Sequence, residues 1–158
     1  MTTNTAPATG HADAAPPAPL HVVFGASGYI GSNLVPELLR AGRRVRATAR
    51  NLEVLEGRGW AGAELTRADA LDPASLPAAL AGADVAYYLV HSMAAGRHFA
   101  DIDREAARNF AQAAAAAGVR RIVYLGGLIP PDPRSQHLLS RAETGEVLRQ
   151  GPVPVTEV

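Results

Sequence analysis

From Leu20 onward, short apolar runs alternate with stretches whose apolar residues recur at helical spacing. Such alternation marks a parallel sheet covered by helices on both faces. Residues 21–24 read as the first strand. A helix over 29–41 follows, with Ile30, Leu34 and Leu38 along one face. Pro36 falls inside it, removes a backbone donor and predicts a kink, and Gly42 ends it. In the second strand, 44–49, Val45, Ala47 and Ala49 alternate with polar residues. A glycine-interrupted segment, 52–62, leads to a third strand at 63–66, and Asp72-Pro73 reads as the N-cap and first residue of a short helix. The run 85–90 is apolar throughout, as a central buried strand should be. The longest helix covers 99–117, with Phe99, Ile102, Ala106, Phe110, Ala113 and Ala117 as its buried stripe and Gly118 as its cap. A fifth strand at 121–125, a helix at 135–150 and a sixth strand at 153–158 complete the pattern. Right-handed crossovers then give a doubly wound sheet of order 3-2-1-4-5-6.

Composition narrows the class. At 158 residues and 47% hydrophobic, the chain suits one folded domain, over 20–158, behind an Ala/Pro-rich tail, 1–19, that has little to bury and is expected to be disordered. Fifteen basic and fifteen acidic residues cancel, so no global field favours nucleic acid, and any anion site is local. The absence of cysteine excludes disulfides, thiolate catalysis and Cys-based zinc sites. No apolar run approaches the roughly 18 residues of a membrane span. The tail lacks Lys and Arg and so resembles neither a secretory nor a mitochondrial leader, which makes the cytoplasm the expected location. Five scattered histidines, His98 among them, show no paired ligand spacing, and no metal site is expected.

The sharpest motif is Gly25-Ala26-Ser27-Gly28-Tyr29-Ile30-Gly31, set between the first strand and its helix. In this context Gly25 turns the chain out of the strand, Gly28 lets backbone approach a pyrophosphate, and Gly31 lets the helix pack on the sheet. The helix start adds N–H donors and a positive dipole end. This is the Rossmann-type arrangement, and Gly25, Ser27, Gly28, Tyr29, Ile30 and Gly31 are its expected cofactor contacts. At the end of the second strand, where an NAD-specific chain places an acid, the sequence has Arg50. A guanidinium there would meet a 2′-phosphate with paired hydrogen bonds, so NADP(H) is expected over NAD(H), with help from Arg46 or Arg43. Asp69 and Ala70, after the third strand, would lie by the adenine. Val90 and His91, ending the fourth strand, would pass the adenine-side ribose.

Several segments together resemble the atypical short-chain dehydrogenase/reductases, a group that takes in NmrA-like and epimerase-type proteins: GASGYIGSNLVPELL (25–39), AYYLVHSM (86–93), DREAARNFAQAAAAAGVRRIVYLGGL (103–128) and HLLSRAETGEVLR (137–149). The resemblance implies a dinucleotide site and descent from hydride-transferring enzymes. It also implies a serine after the fifth strand and a Tyr-x-x-x-Lys dyad on the following helix. Here the serine region reads Gly126-Gly127 and the dyad positions read His137 and Arg141. Both lie on one helix face. His137 is the candidate acid or base, and Arg141 the candidate holder of a ribose or phosphate.

The expectation is therefore an NADP(H)-binding oxidoreductase acting on a carbonyl or quinone-like small molecule. Two rivals stand beside it: a non-catalytic dinucleotide-binding sensor or scaffold, and an inactive fragment that lacks a substrate domain. The chain stops within its sixth strand, which suggests truncation and self-association through that strand.

Overall fold

A computed structural model describes residues 17–92, 99–127 and 135–158. Within them the chain alternates strand and helix: β1 Leu20–Phe24, α1 Tyr29–Arg40, β2 Arg44–Ala49, α2 Leu52–Glu56, β3 Ala63–Arg67, a 3₁₀ turn Pro73–Ser75 running into α3 Leu76–Leu80, β4 Val85–Tyr88, α4 Phe99–Ala116, β5 Arg121–Tyr124, α5 Gln136–Arg149 and β6 Val155–Glu157. The strands form one parallel sheet in the order β3-β2-β1-β4-β5-β6, the order that the alternation predicts. Expected boundaries hold to within a few residues.

Alternation along β1 divides the core in two. Leu20, Val22 and Phe24 face the layer of α3, α4 and α5, where Phe24 meets Phe110 edge-on at 5.0 Å and Phe110 lies 4.7 Å from Tyr88. Val23 turns the other way, joining Val45, Ala47, Ala49 and Leu55 under α1 and α2. No described helix is long and apolar enough to cross a membrane.

Three local expectations change. The helix α1 continues through Pro36 to Arg40, and bonds beyond it, such as Ala41 N–H to Glu37 O, close. Its buried face centres on Gly31 and Val35, with Leu34 and Leu38 half-buried beside them, and Ile30 is turned outward. Asp72 makes no side-chain cap. The Ser75 hydroxyl instead donates to Asp72 O at 2.7 Å, while Asn51 caps the unforeseen helix α2 by accepting from Glu53 N–H. The stripe of α4 is offset from the expected one: Phe99, Asp103, Ala106, Ala107, Phe110, Ala111 and Ala114 are buried, and Ala113 is only partly so. The expected tail over 1–16, and His98 with its neighbour Arg97, lie outside the described residues.

Candidate functional site

Two cavities open along the carboxyl ends of the central strands, where β1 and β4 lead into crossovers on opposite faces. Ligands of doubly wound sheets settle at that place. The first cavity, of about 550 Å³, is bordered by Gly25, Ser27, Gly28, Arg50, Asp69, Ala70, Val90 and His91, which the sequence singles out, together with residues such as Leu71 and Ile102. The second, of about 440 Å³, is bordered by Tyr29, Ile30, Gly31 and Arg141, and shares Gly25, Gly28, Val90 and His91 with the first. Of the singled-out residues, His137 borders neither, nor do the expected helpers Arg43 and Arg46. His137 is exposed on α5, with its ring stacked 4.7 Å from that of Phe99.

The glycine turn is pinned from both sides. Gly25 and Ala26 N–H donate to Thr48 O at 3.3 and 2.9 Å, and Leu89 N–H donates to Phe24 O at 2.9 Å. Gly25 has φ +94°, and a Cβ on Gly31 would stand 2.6 Å from both Ala26 Cα and Gly25 O. The fold itself therefore requires those two glycines. Gly28 differs: its φ is −74°, and a Cβ there would meet only Gly25 O, at an ordinary 3.5 Å. Internal packing therefore does not require a glycine there; it borders both cavities, and its missing side chain leaves the crevice open at that point. The start of α1 carries no side-chain cap and no acidic residue in its first turn. An anion there would complement the helix dipole without a competing carboxylate.

The arginines sort by strand end. Arg50 is exposed at the rim of the first cavity, its backbone carbonyl accepting from Arg67 Nε at 3.1 Å. Arg58, which sequence reasoning passed over, reaches back from beyond α2 to donate to Ser27 O at 3.3 Å. Arg46 is not available as a helper. It pairs with Glu64 at 2.7 Å and donates to Ala79 O and Ala81 O at 3.0 and 2.8 Å, closing the end of α3. Arg43 precedes β2, at the sheet edge opposite the crevice, and likewise has no part in the site. Asp69 is half-buried, and its Oδ1 accepts from Leu71 N–H at 3.0 Å, which shapes the loop that borders the first cavity.

On the second cavity, Tyr124 is not a ready proton donor. Burial pushes its phenol up to about 12, against the opposing charge of Arg141, and its hydroxyl donates to Arg141 O at 3.0 Å. Arg141 Nη2 reaches Leu125 O at 3.4 Å. A Cβ on Gly126 would meet Glu157 Oε1, so the end of a glutamate side chain lies where the resemblance implies a serine.

The sequence reading also missed a buried cluster. Asp103 of α4 accepts from Ser92 N–H at 2.8 Å and from the Ser140 hydroxyl at 3.1 Å, and its Oδ2 stands 2.6 Å from His91 Nδ1. Among the described residues no group of acids and histidines is arranged to hold a metal ion.

A crevice lined by a strand–glycine turn–helix corner, with an uncapped helix start and an arginine at the second strand's end, has its counterpart in a known family. Residues 25–150 match a family model described as NAD(P)H-binding. The chain belongs to this NAD(P)H-binding family. Its likeness to the atypical short-chain reductases stands with that membership. Among curated proteins, the chain is 40% identical over 109 residues to cinnamoyl-CoA reductase 1 of Oryza sativa subsp. japonica, covering 65% of this chain and 32% of that protein. Among solved structures, triphenylmethane reductase of Citrobacter sp., complexed with NADP(H), shares the fold with a TM-score of 0.74 at 24% identity, over 87% of this chain and 48% of that one. The NADPH-dependent quinone oxidoreductase QOR2 of Escherichia coli, complexed with NADPH, gives a TM-score of 0.70 at 25% identity, over 87% and 47%. The chain thus spans between 32% and 48% of the length of these proteins.

Proposed function

We propose that this chain binds NADP(H) in preference to NAD(H), as the cofactor-holding part of a reductase acting on a carbonyl or quinone-like small molecule. The observation that carries the preference is the rim of the first cavity. Arg50 stands there at the end of β2, and β2 ends without a carboxylate to receive ribose hydroxyls. Arg58 does not line the cavity, but its bond to Ser27 O holds a second cation against a residue that does. Two guanidiniums suit a 2′-phosphate, which carries two charges and three acceptor oxygens. The quinone oxidoreductase neighbour, complexed with NADPH, supports the reading. The uncapped start of α1, with Gly28, would receive the pyrophosphate, and Ala70 and Asp69 would flank the adenine. Arg141 would face the nicotinamide half from the second cavity.

Calorimetric titration tests this reading. NADPH binds more tightly than NADH, and Arg50→Asp removes the difference; equal affinities in the unaltered chain would overturn it.

One observation favours a second reading, a dinucleotide-binding module without chemistry of its own. Glu157 occupies the serine's place, and the tyrosine of the dyad is His137, which borders neither cavity. NADPH oxidation with carbonyl and quinone acceptors, abolished in His137→Ala, would decide for the enzyme.

A further inference from the structure

One cation at the crevice stands without a counterion. Arg141 is half-buried on α5 and borders the second cavity. Its stem packs over Gly127, where a Cβ would meet Cδ at 3.6 Å and Nε at 3.7 Å. Its Nη2 donates only to Leu125 O, at a long 3.4 Å. The acids around it are engaged elsewhere. Glu157, beside Gly126, pairs with Arg149, and Glu143, also on α5, pairs with Arg104. Asp103 is taken by His91, Ser92 and Ser140. Among the described residues no carboxylate meets Arg141.

Much of the wall around this guanidinium is apolar, from Ile30, Leu89, Val90 and Leu125. A guanidinium keeps its charge at any physiological pH, and drawing it out of water is costly without a partner. A ligand that closes the cavity over Arg141 must therefore bring an anion. The cofactor does not supply it. The reading above seats the diphosphate at the start of α1, after β1, whereas Arg141 is held at the end of β5, two strands and about 10 Å away. The 2′-phosphate belongs to Arg50 at the end of β2, one strand farther. What remains of NADPH on this side, a ribose and a nicotinamide, carries no negative charge.

Resting on the reductase reading above, we infer that the substrate is an apolar molecule carrying one carboxylate besides its reducible carbonyl, and that Arg141 receives that carboxylate in the second cavity. A carboxylate brings the single charge that one guanidinium neutralises, and its two oxygens match the fork of N–H donors. A phosphate monoester would bring nearly two charges and leave one of them among apolar walls, on the side facing the diphosphate. The bare Gly127 is part of the site, because a side chain there would press on the arginine stem and on Leu138, at 3.3 Å.

Binding is measured on the chain saturated with NADP⁺, which fills the cofactor's place without turnover. The probes are para-formylbenzoate, its neutral isostere para-formylbenzamide, and para-formylphenyl phosphate. The carboxylate binds at least about tenfold more tightly than either of the others. Arg141→Gln removes its advantage over the amide, and Arg141→Lys, which keeps the charge and loses the fork, retains part of it. Spectra of the unaltered chain answer without a substitution: the Arg141 Nε–H signal shifts on adding the carboxylate and stays in place with the amide. The inference is overturned if the carboxylate fails to bind or binds no better than the amide. An advantage that survives Arg141→Gln, or an Arg141 signal unmoved at saturating carboxylate, overturns it equally. Tighter binding of the phosphate would make the anion a phosphate and sink the assignment. If NADP⁺ binds and displaces the carboxylate, Arg141 serves the cofactor, and this inference fails while the NADP(H) reading stands. If NADP⁺ does not bind the unaltered chain, that reading fails and the inference with it.

Discussion

The carboxylate of Asp103 holds His91 across the gap between α4 and the end of β4, with 2.6 Å between Oδ2 and Nδ1. The same carboxylate fastens α5 to α4 through Ser140, so one side chain ties together three segments of the chain. Removing it strands an amide, a hydroxyl and an imidazole N–H in the interior. Asp103→Ala is expected to cost about 3 kcal/mol of unfolding free energy, and Ser140→Ala about 1 kcal/mol. Urea denaturation followed by circular dichroism measures both. Equal and small losses would mean that solvent reaches the cluster.

The glycine turn predicts opposite outcomes at two positions three residues apart. At Gly31 an added Cβ strikes backbone at 2.6 Å, and backbone cannot swing aside. Gly31→Ala therefore destabilises the fold by about 2–3 kcal/mol. At Gly28 the nearest atom is an ordinary contact at 3.5 Å, and φ is already negative. Gly28→Ala leaves the unfolding free energy, from urea denaturation, within about 0.5 kcal/mol of the unaltered chain, while NADPH affinity falls at least about tenfold. A stable Gly28→Ala protein with undiminished affinity would show that the phosphates lie elsewhere.

These contrasts also explain how much could be read from the sequence. The sheet order, the glycine turn and the approach of Arg50, Asp69 and His91 to one crevice were legible, because β-alternation and a strand–glycine–helix junction are local patterns with a single topological outcome. Asp103 was not. The apolar stripe of α4 can be drawn through Ile102 or, one residue on, through position 103, and apolar character alone selects the isoleucine. Ile102 instead borders the first cavity, and the aspartate goes inside because donors from β4 and α5 await it. Ser140, Thr144 and Gly145 gave α5 an inward face with little apolar signal. Arg46 misled for a related reason: its charge is satisfied by Glu64 on the adjacent strand and by carbonyls at the end of α3, which are neighbours only after folding.

Arg46 yields a prediction that separates it from Arg50. Its side chain is largely buried and binds two helix-end carbonyls besides its carboxylate. Arg46→Ala should lower stability by about 1–2 kcal/mol, since it leaves those acceptors unpaired and Glu64 with only Arg44, at 3.6 Å. The ratio of NADPH to NADH affinity stays unchanged. A shifted ratio at unchanged stability would return Arg46 to the cofactor site.

The amino end of the sheet carries a pH-dependent element that owes nothing to the crevice. His21 Nδ1 lies 3.2 Å from the Tyr87 hydroxyl, and the two rings stack at 5.9 Å. Burial lowers the His21 pKa below its ordinary value near 6.5, and the charge of Arg43 lowers it further against an opposing pull from Asp84. The native state thus disfavours the imidazolium, and the unfolded chain takes up the proton more readily. Stability from this group is fully present above about pH 6.5 and is lost as pH falls from there through the lowered native value. The urea midpoint should therefore decline between about pH 6.5 and pH 5, and His21→Gln should flatten that part of the curve. Arg43→Gln acts in the same direction and less strongly, because it removes the second cause and leaves burial in place. A slope unchanged in both variants would assign the acid sensitivity to another histidine.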